Sequence, residues 1–433
     1  FDVSIVNLAL PLMAADLHIP VAAGQWIQTI YLLSFGGFLL LGGRLCDYAG
    51  SKRIFLTGMA VFGAASVLAA VSQHMALLLP ARAGQGIGAA LAMPGGISLL
   101  SRHFREGEQH RVAFGIFGAF AAVGFAGGLS LGGMIAATFD WHWIFGVNAP
   151  IILLVLITGS LYIPAGKVEA RTPLPVVSSG WLTVTLLLLS YAIHESETLG
   201  WKTIPCLAAV GISIFFLLRY DRGQAQPFFE RGIYSSPVAL RGLVAFFLLG
   251  CAFLSFIAIS TLALYEVMGW GVQAAGWLLF PYSIGSALVS RWILPGLFRR
   301  AGVARTALLA FFCLLAGALL LGAGIYTHRL PCYLAALLLV NSVAISIGYP
   351  ALTILSLTGV APDKQGLAAG LQSSINTVGS GIGLSVTGLC LAAFRPAVDI
   401  SLLYALGVVA AGCVLAIVQL LIQRRNATAD YQA

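Results

Sequence analysis

Asp2, Arg82 and the trio Asp47, Lys52 and Arg53 stand out because nearly everything around them is apolar. Asp2 heads the run FDVSIVNLALPLMAADL. A carboxylate kept out of water favours its neutral form, so its pKa rises toward the range where a proton binds and leaves near neutral pH. A proton neutralises such an acid in one state and a cation or guanidinium does so in another, which couples two movements. The plainer alternative is a structural acid held by a neighbouring helix. Arg82 lies deep in an apolar run, and Gln85, three positions on, shares its helix face. A guanidinium stays charged and needs a carboxylate, carbonyls or water around it. It serves either proton transfer or the anchoring of a helix bundle. Asp47, Lys52 and Arg53 frame the short turn DYAGSKR, where a carboxylate either latches onto a helix N-terminus or an Arg, or is simply solvated.

Enzyme chemistry has no foothold. The seven histidines sit at loops or the ends of apolar runs without ligand spacing, and the seven cysteines form no CxxC or Cys/His cluster. The glycine patterns lie inside apolar runs, where a phosphate-binding loop has no context. No catalytic residue, metal site or cofactor is expected, and the cysteines read as small apolar packers.

These residues must be positioned by membrane-spanning helices. Of 433 residues, 59% are hydrophobic and 9% charged, against about 25% charged in a soluble domain. The chain therefore uses a lipid bilayer as solvent. Its 50 glycines suit helices that pack through small residues. Fourteen apolar segments approach the length of about 20 residues that a span needs. The first is short: Phe1 to Ala15 rises about 22 Å against a core of about 30 Å. The expectation is that the chain starts inside its first helix, with Asp2 about 18 Å from the outer end and Arg82 about 10 Å deep.

Charge sets the orientation. Lys202, Arg329 and Arg395 fall in connectors on one side, Arg82 falls inside a span, and every other Lys and Arg falls on the opposite side. The basic side is cytoplasmic, which puts both termini inside. The net charge of +8 is thus topological, and no nucleic-acid partner is expected. Two cytoplasmic turns repeat, DYAGSKR (47–53) and RRAGVAR (299–305), with Gly50 and Gly302 suited to a tight left-handed turn. The repeat suggests two six-helix bundles, 1–164 and 236–433, joined by a linker, 165–235, that carries two additional spans.

Five stretches carry a family resemblance: FDVSIVNLALP (1–11), GGRLCDYAGSKR (42–53), LLPARAGQGIGAA (78–90), GFAGGLSLGG (124–133) and WHWIFGVNAP (141–150). In this order and spacing the chain resembles the 14-helix drug:proton antiporter branch of the major facilitator superfamily. Tyr48 and Ser51 stand where that family's loop usually has Arg, and Leu129 where its fifth helix has Pro. The resemblance implies an all-α major facilitator fold that works by alternating access. It also implies a proton-transfer role for Arg82 beside Asp2 and a cytoplasmic gate of Gly43, Asp47, Gly50, Lys52 and Arg53. Gly124, Gly128, Gly132 and Gly133 would form a packing stripe.

Polar and aromatic residues inside the spans are the candidate cavity wall: Asn7, Gln28, Tyr31, Gln85, Tyr265, Tyr282, Asn341, Gln372 and Asn376. A large apolar area with few polar handles suits amphipathic compounds. No acid besides Asp2 lies deep in a span, which points to monocations, neutral compounds or zwitterions rather than dications. The expected activity is proton-coupled efflux of amphipathic drugs or metabolites by a monomer in the bacterial inner membrane. An importer or uniporter of a small organic solute on the same fold is the alternative. A channel would need a continuous polar stripe, and the chain has isolated polar residues instead.

Overall fold

The computed structural model describes residues 2–104, 138–164, 176–195, 203–224, 237–271, 284–358, 365–393 and 398–429, with isolated positions at 124–136 and 278–282. Every element among them is a helix. In order they are α1 (Asp2–Asp16), α2 (Val21–Ala49), α3 (Ser51–Ala70), α4 (Met75–His103), α5 (His142–Gly146), α6 (Asn148–Tyr162), α7 (Val176–Glu195) and α8 (Thr203–Arg222). The second half holds α9 (Pro237–Leu262), α10 (Leu294–Ala301), α11 (Val303–Thr327), α12 (Leu330–Leu337), α13 (Ile345–Leu357), α14 (Gln365–Ala393) and α15 (Val398–Ala429). Nine helical stretches among the described residues are long and apolar enough to cross a bilayer. The span expected across 112–137 falls largely outside the described residues.

The chain forms two compact units. One comprises Leu12–Ala121 and Ile135–Glu230, the other Phe1–Pro11, Ala122–Met134 and Arg231–Ala433. The division falls within α1 directly after Pro11. A proline there removes an intrahelical hydrogen bond and weakens the helix at that point.

Within the first unit, α2, α3 and α4 pack on one another, and α7 pairs with α8 while resting on α2. Small residues permit these approaches: a Cβ at Gly86 would overlap the Tyr31 carbonyl, and one at Gly37 the Thr183 hydroxyl. In the second unit α9 is central and packs on α13, α14 and α15, while α11 packs on α12, α13 and α15. The apolar window of α9 is 72% buried, against 22% for α3 and α8. The outer helices therefore turn Leu207, Phe215 and similar side chains outward, which lipid accepts without penalty.

Both AG turns have the backbone that their glycines permit. Gly50 (φ 90°) joins α2 to α3, and Gly302 (φ 78°) joins α10 to α11. Three π-helical segments interrupt the second unit, at Ala263–Val267, Val289–Ile293 and Leu338–Ala344. Such widened turns often mark functional positions.

Candidate functional site

Arg82, at the start of the third turn of α4, has no solvent-exposed surface. Its Nε donates to the Ile27 carbonyl oxygen at 3.0 Å, and its Nη1 donates to Gln85 Oε1 at 2.6 Å. Gln85 Nε2 then donates to Ser66 Oγ at 2.8 Å, and Asn148 Nδ2 reaches the same oxygen at 3.5 Å. The guanidinium lies 4.3 Å from the Tyr31 ring centroid and 5.6 Å from that of Phe145. Taking a cation out of water costs several kcal/mol, and the charge persists only where donors are satisfied and π faces surround it. Four helices and a fifth short one supply these groups: α2, α3, α4, α6 and α5. The arrangement holds a fixed positive charge in a dry interior, ready to stabilise an anion or a deprotonated acid.

Asp2 lies in the first turn of α1 and is buried, with 8% of its surface exposed. It belongs to the second unit and Arg82 to the first. Asn7 is helical in α1, and its side chain lies outside the described set, as does that of Asp47 at the end of α2. Gln28 and Tyr31 are buried on α2.

At the turn after α2, Lys52 donates Nζ to the Ser160 carbonyl oxygen at 2.9 Å, placing a cation on the C-terminal end of α6. Arg53 is exposed. Gly43 has open space where a Cβ would be, whereas a Cβ at its neighbour Gly42 would overlap the Ala90 carbonyl. The close approach of α2 and α4 thus rests on Gly42. In the glycine stripe, Gly124, Gly128 and Gly132 are helical, and a Cβ at Gly132 would overlap the Ile5 carbonyl of α1. Gly133 lies outside the described residues.

The remaining wall candidates belong to the second unit. Gln372 donates Nε2 to Thr353 Oγ1 and Asn376 donates Nδ2 to the Phe246 carbonyl oxygen, each at 2.9 Å. Tyr265 sits on the π-helical segment that extends α9, and the Tyr282 carbonyl accepts from Ser342 Oγ at 2.7 Å. Asn341 sits on the π-helical segment between α12 and α13, 8% exposed, with a buried Oδ1 that meets no hydrogen-bond partner among the described residues. A cavity of about 320 Å³ lies between α9, α14 and α15, lined by Cys251, Ser255, Thr387 and Cys390 among apolar side chains. None of the wall candidates borders it.

A sequence model of the Major Facilitator Superfamily matches residues 1–384. The chain belongs to the Major Facilitator Superfamily. Among its relatives is the cephamycin export protein CmcT of Amycolatopsis lactamdurans, 31% identical over 405 residues, covering 89% of this chain and 81% of that protein. The multidrug resistance protein Stp of Mycobacterium tuberculosis is 28% identical, covering 92% of this chain and 74% of that protein. The puromycin resistance protein pur8 of Streptomyces alboniger is 29% identical, covering 89% and 77%. Among solved structures, the human organic anion transporter MFSD10 aligns with a TM-score of 0.64 at 16% identity over 97% of this chain and 96% of that one. An auto-inhibited POT family peptide transporter aligns with a TM-score of 0.67 at 15% identity, over 97% and 93%. At these identities the structures share the fold.

In this major facilitator chain, the loop position that holds Ser51 is not a solvated charge. Ser51 Oγ meets Ser98 Oγ at 2.7 Å, a part-buried hydroxyl pair between α3 and α4. Several members of the Arg82 cluster escape the motif reading: Ser66, Phe145, Asn148 and the Ile27 carbonyl. Phe145 and Asn148 fall in WHWIFGVNAP, so that stretch carried a signal beyond a helix lead-in. Gln25 was missed as well. It is 3% exposed on α2, and its buried Oε1 meets no hydrogen-bond partner among the described residues.

Proposed function

We propose that this chain is a proton-coupled exporter of amphipathic drugs or metabolites, of the 14-helix drug:proton antiporter branch. It works as a monomer in the cytoplasmic membrane, with both termini in the cytoplasm. Residues 1–164 and 236–433 form two six-helix bundles that rock about a central cavity, and 165–235 carries two additional spans. Asp2 exchanges its proton as the cavity switches sides, and Arg82 biases that exchange by favouring the ionised acid. The wall residues hold the substrate; Asp47, Lys52, Arg53, Gly43 and Gly50 close the cytoplasmic side; and the glycine stripe packs one helix against its neighbour. The export and resistance proteins among the relatives support the direction and the substrate class.

The observation that carries this reading is the complete burial of the Arg82 guanidinium on a carbonyl, an amide and two aromatic rings. A permanently charged residue in a dry membrane interior marks an ion or substrate pathway. Everted membrane vesicles test the proposal. Proton-driven accumulation of a fluorescent lipophilic cation is expected in vesicles carrying the wild-type chain, and Asp2→Asn, expressed equally, abolishes it. Undiminished proton dependence in Asp2→Asn removes Asp2 from the mechanism.

A further inference from the structure

His142 opens α5, and both nitrogens of its ring face acceptors. Nε2 lies 2.9 Å from the Ser72 carbonyl oxygen and Nδ1 lies 3.0 Å from Asp140 Oδ1. A carbonyl oxygen only accepts, so Nε2 carries a hydrogen. The second contact then needs one more proton, either on Nδ1 or on the Asp140 carboxyl. Partial burial works to raise the Asp140 pKa, but hydrogen bonds from the His142 ring and backbone outweigh it and hold the carboxyl below its ordinary range. With that proton on the ring, the pair is an imidazolium on a carboxylate.

The same place joins three connectors. Asp16 ends α1, Ser72 lies between α3 and α4, and Asp140 and Trp141 lead into α5. Trp141 stacks on the His142 ring at 3.6 Å and donates Nε1 to Asp16 Oδ2 at 2.9 Å. The other ionisable groups of these connectors are His18, whose Nδ1 lies 2.7 Å from the Asp16 carbonyl oxygen, and the exposed His74 before α4. Phe145, one turn into α5, meets Trp141 edge-on at 6.3 Å and lies 5.6 Å from the Arg82 guanidinium. The clasped connector thus positions an aromatic wall of the buried cation.

We propose that His142 and Asp140 form a second proton-binding site, distinct from Asp2, which clasps the three connectors when loaded and releases them when the proton leaves. The sign follows from the acceptors. The loaded clasp holds at acid pH and opens as the pH rises and the proton leaves the pair. It weakens again at the acid extreme, as Asp140 protonates below the ordinary carboxylate range near about 4. His142 is a positioning residue for Phe145 and, through it, for Arg82. Only the side from which this proton arrives rests on the proposed orientation.

Hydrogen exchange of the purified full chain tests the clasp without a substrate and without reference to orientation. After correction for intrinsic pH effects, amides of 71–74 and 138–142 are expected to exchange about threefold faster or more at about pH 8 than at about pH 5.5. His142→Arg, a permanent cation with donors for both acceptors, is expected to stay protected at both pH values. His142→Ala is expected to be unprotected at both. A wild-type chain with no such pH dependence, or His142→Arg with the same dependence as wild type, overturns the proposal. If His142→Ala fails to fold, the comparison of His142→Arg with wild type decides alone. Impermeant thiol labelling of Gln73→Cys in intact cells reports the membrane side separately, so a wrong orientation is distinguishable from a wrong clasp.

Discussion

Helices α2–α6 and α9–α15 both bury hydroxyls and amides, but they differ in charge. The first group buries a full charge, Arg82, on helices held by glycine contacts and a chain of side-chain hydrogen bonds. The second group buries no charged side chain among the described residues. It buries hydroxyls and amides such as Ser260, Thr261, Asn341, Ser342 and Gln372, and it contains all three described π-helical segments. A charge demands fixed partners, because each lost hydrogen bond to it costs more than a neutral one. Of the neutral groups, Asn341 and Ser342 lie on a π-helical segment. The contrast teaches where a full charge is kept: among the described residues of these two groups, only the first holds one buried.

The largest expected effect comes from the charge. Arg82→Ala removes it, and efflux measured in everted vesicles is expected to fall to background. Arg82→Lys keeps the charge but loses the fork to Ile27 and Gln85. At about 1.5–3 kcal/mol for each charge-assisted hydrogen bond, at least about a tenfold loss of transport is expected. Wild-type rates in Arg82→Lys would show that any cation suffices there.

Packing comes next and sharpens the claim of rigidity. Gly86→Val drives a side chain into the Tyr31 carbonyl beside the Arg82 cluster. Overpacking of this kind costs about 1–3 kcal/mol, so a lower unfolding temperature in detergent is expected, together with lost transport. Gly43→Ala, with open space at its Cβ, is the control expected to leave both unchanged.

A smaller effect of opposite sign is expected on the recognition side. Among the described residues the buried Asn341 acceptor meets no partner, a state that costs about 1–3 kcal/mol. Asn341→Leu is therefore expected to raise the unfolding temperature while changing the ranking of exported compounds and leaving proton dependence intact. A variant less stable than wild type, with an unchanged substrate profile, removes Asn341 from the recognition wall. The smallest effect is expected at the turn. Lys52→Ala loses one cation at the C-terminal end of α6, worth about 0.3–1 kcal/mol, and a slight drop in unfolding temperature checks it.

Parts of this site are legible in the sequence for local reasons. Arg82 and Gln85 share a face by spacing alone, and their hydrogen bond follows. Gly50 and Gly302 announce their turns, since few other residues accept positive φ. Other parts leave no trace. The Ile27 carbonyl that accepts from Arg82 is backbone, common to every residue type, and lies 55 positions away. The choice of Gly42 over Gly43 as the packing glycine depends on which face of α2 meets Ala90. Trp141 reaches Asp16 across 125 positions, and nothing near either residue names the other.

By itself the sequence determined that this is a helical membrane chain of the major facilitator kind. Apolar content, span length and turn glycines act within a few residues of one another, so they survive in a one-dimensional reading. Only the tertiary structure decided which groups surround Arg82, that Asn341 Oδ1 meets no partner among the described residues, and that the His142 ring lies between a carbonyl and a carboxylate. Those outcomes depend on the approach of segments distant in the chain, and on backbone oxygens that no residue letter distinguishes.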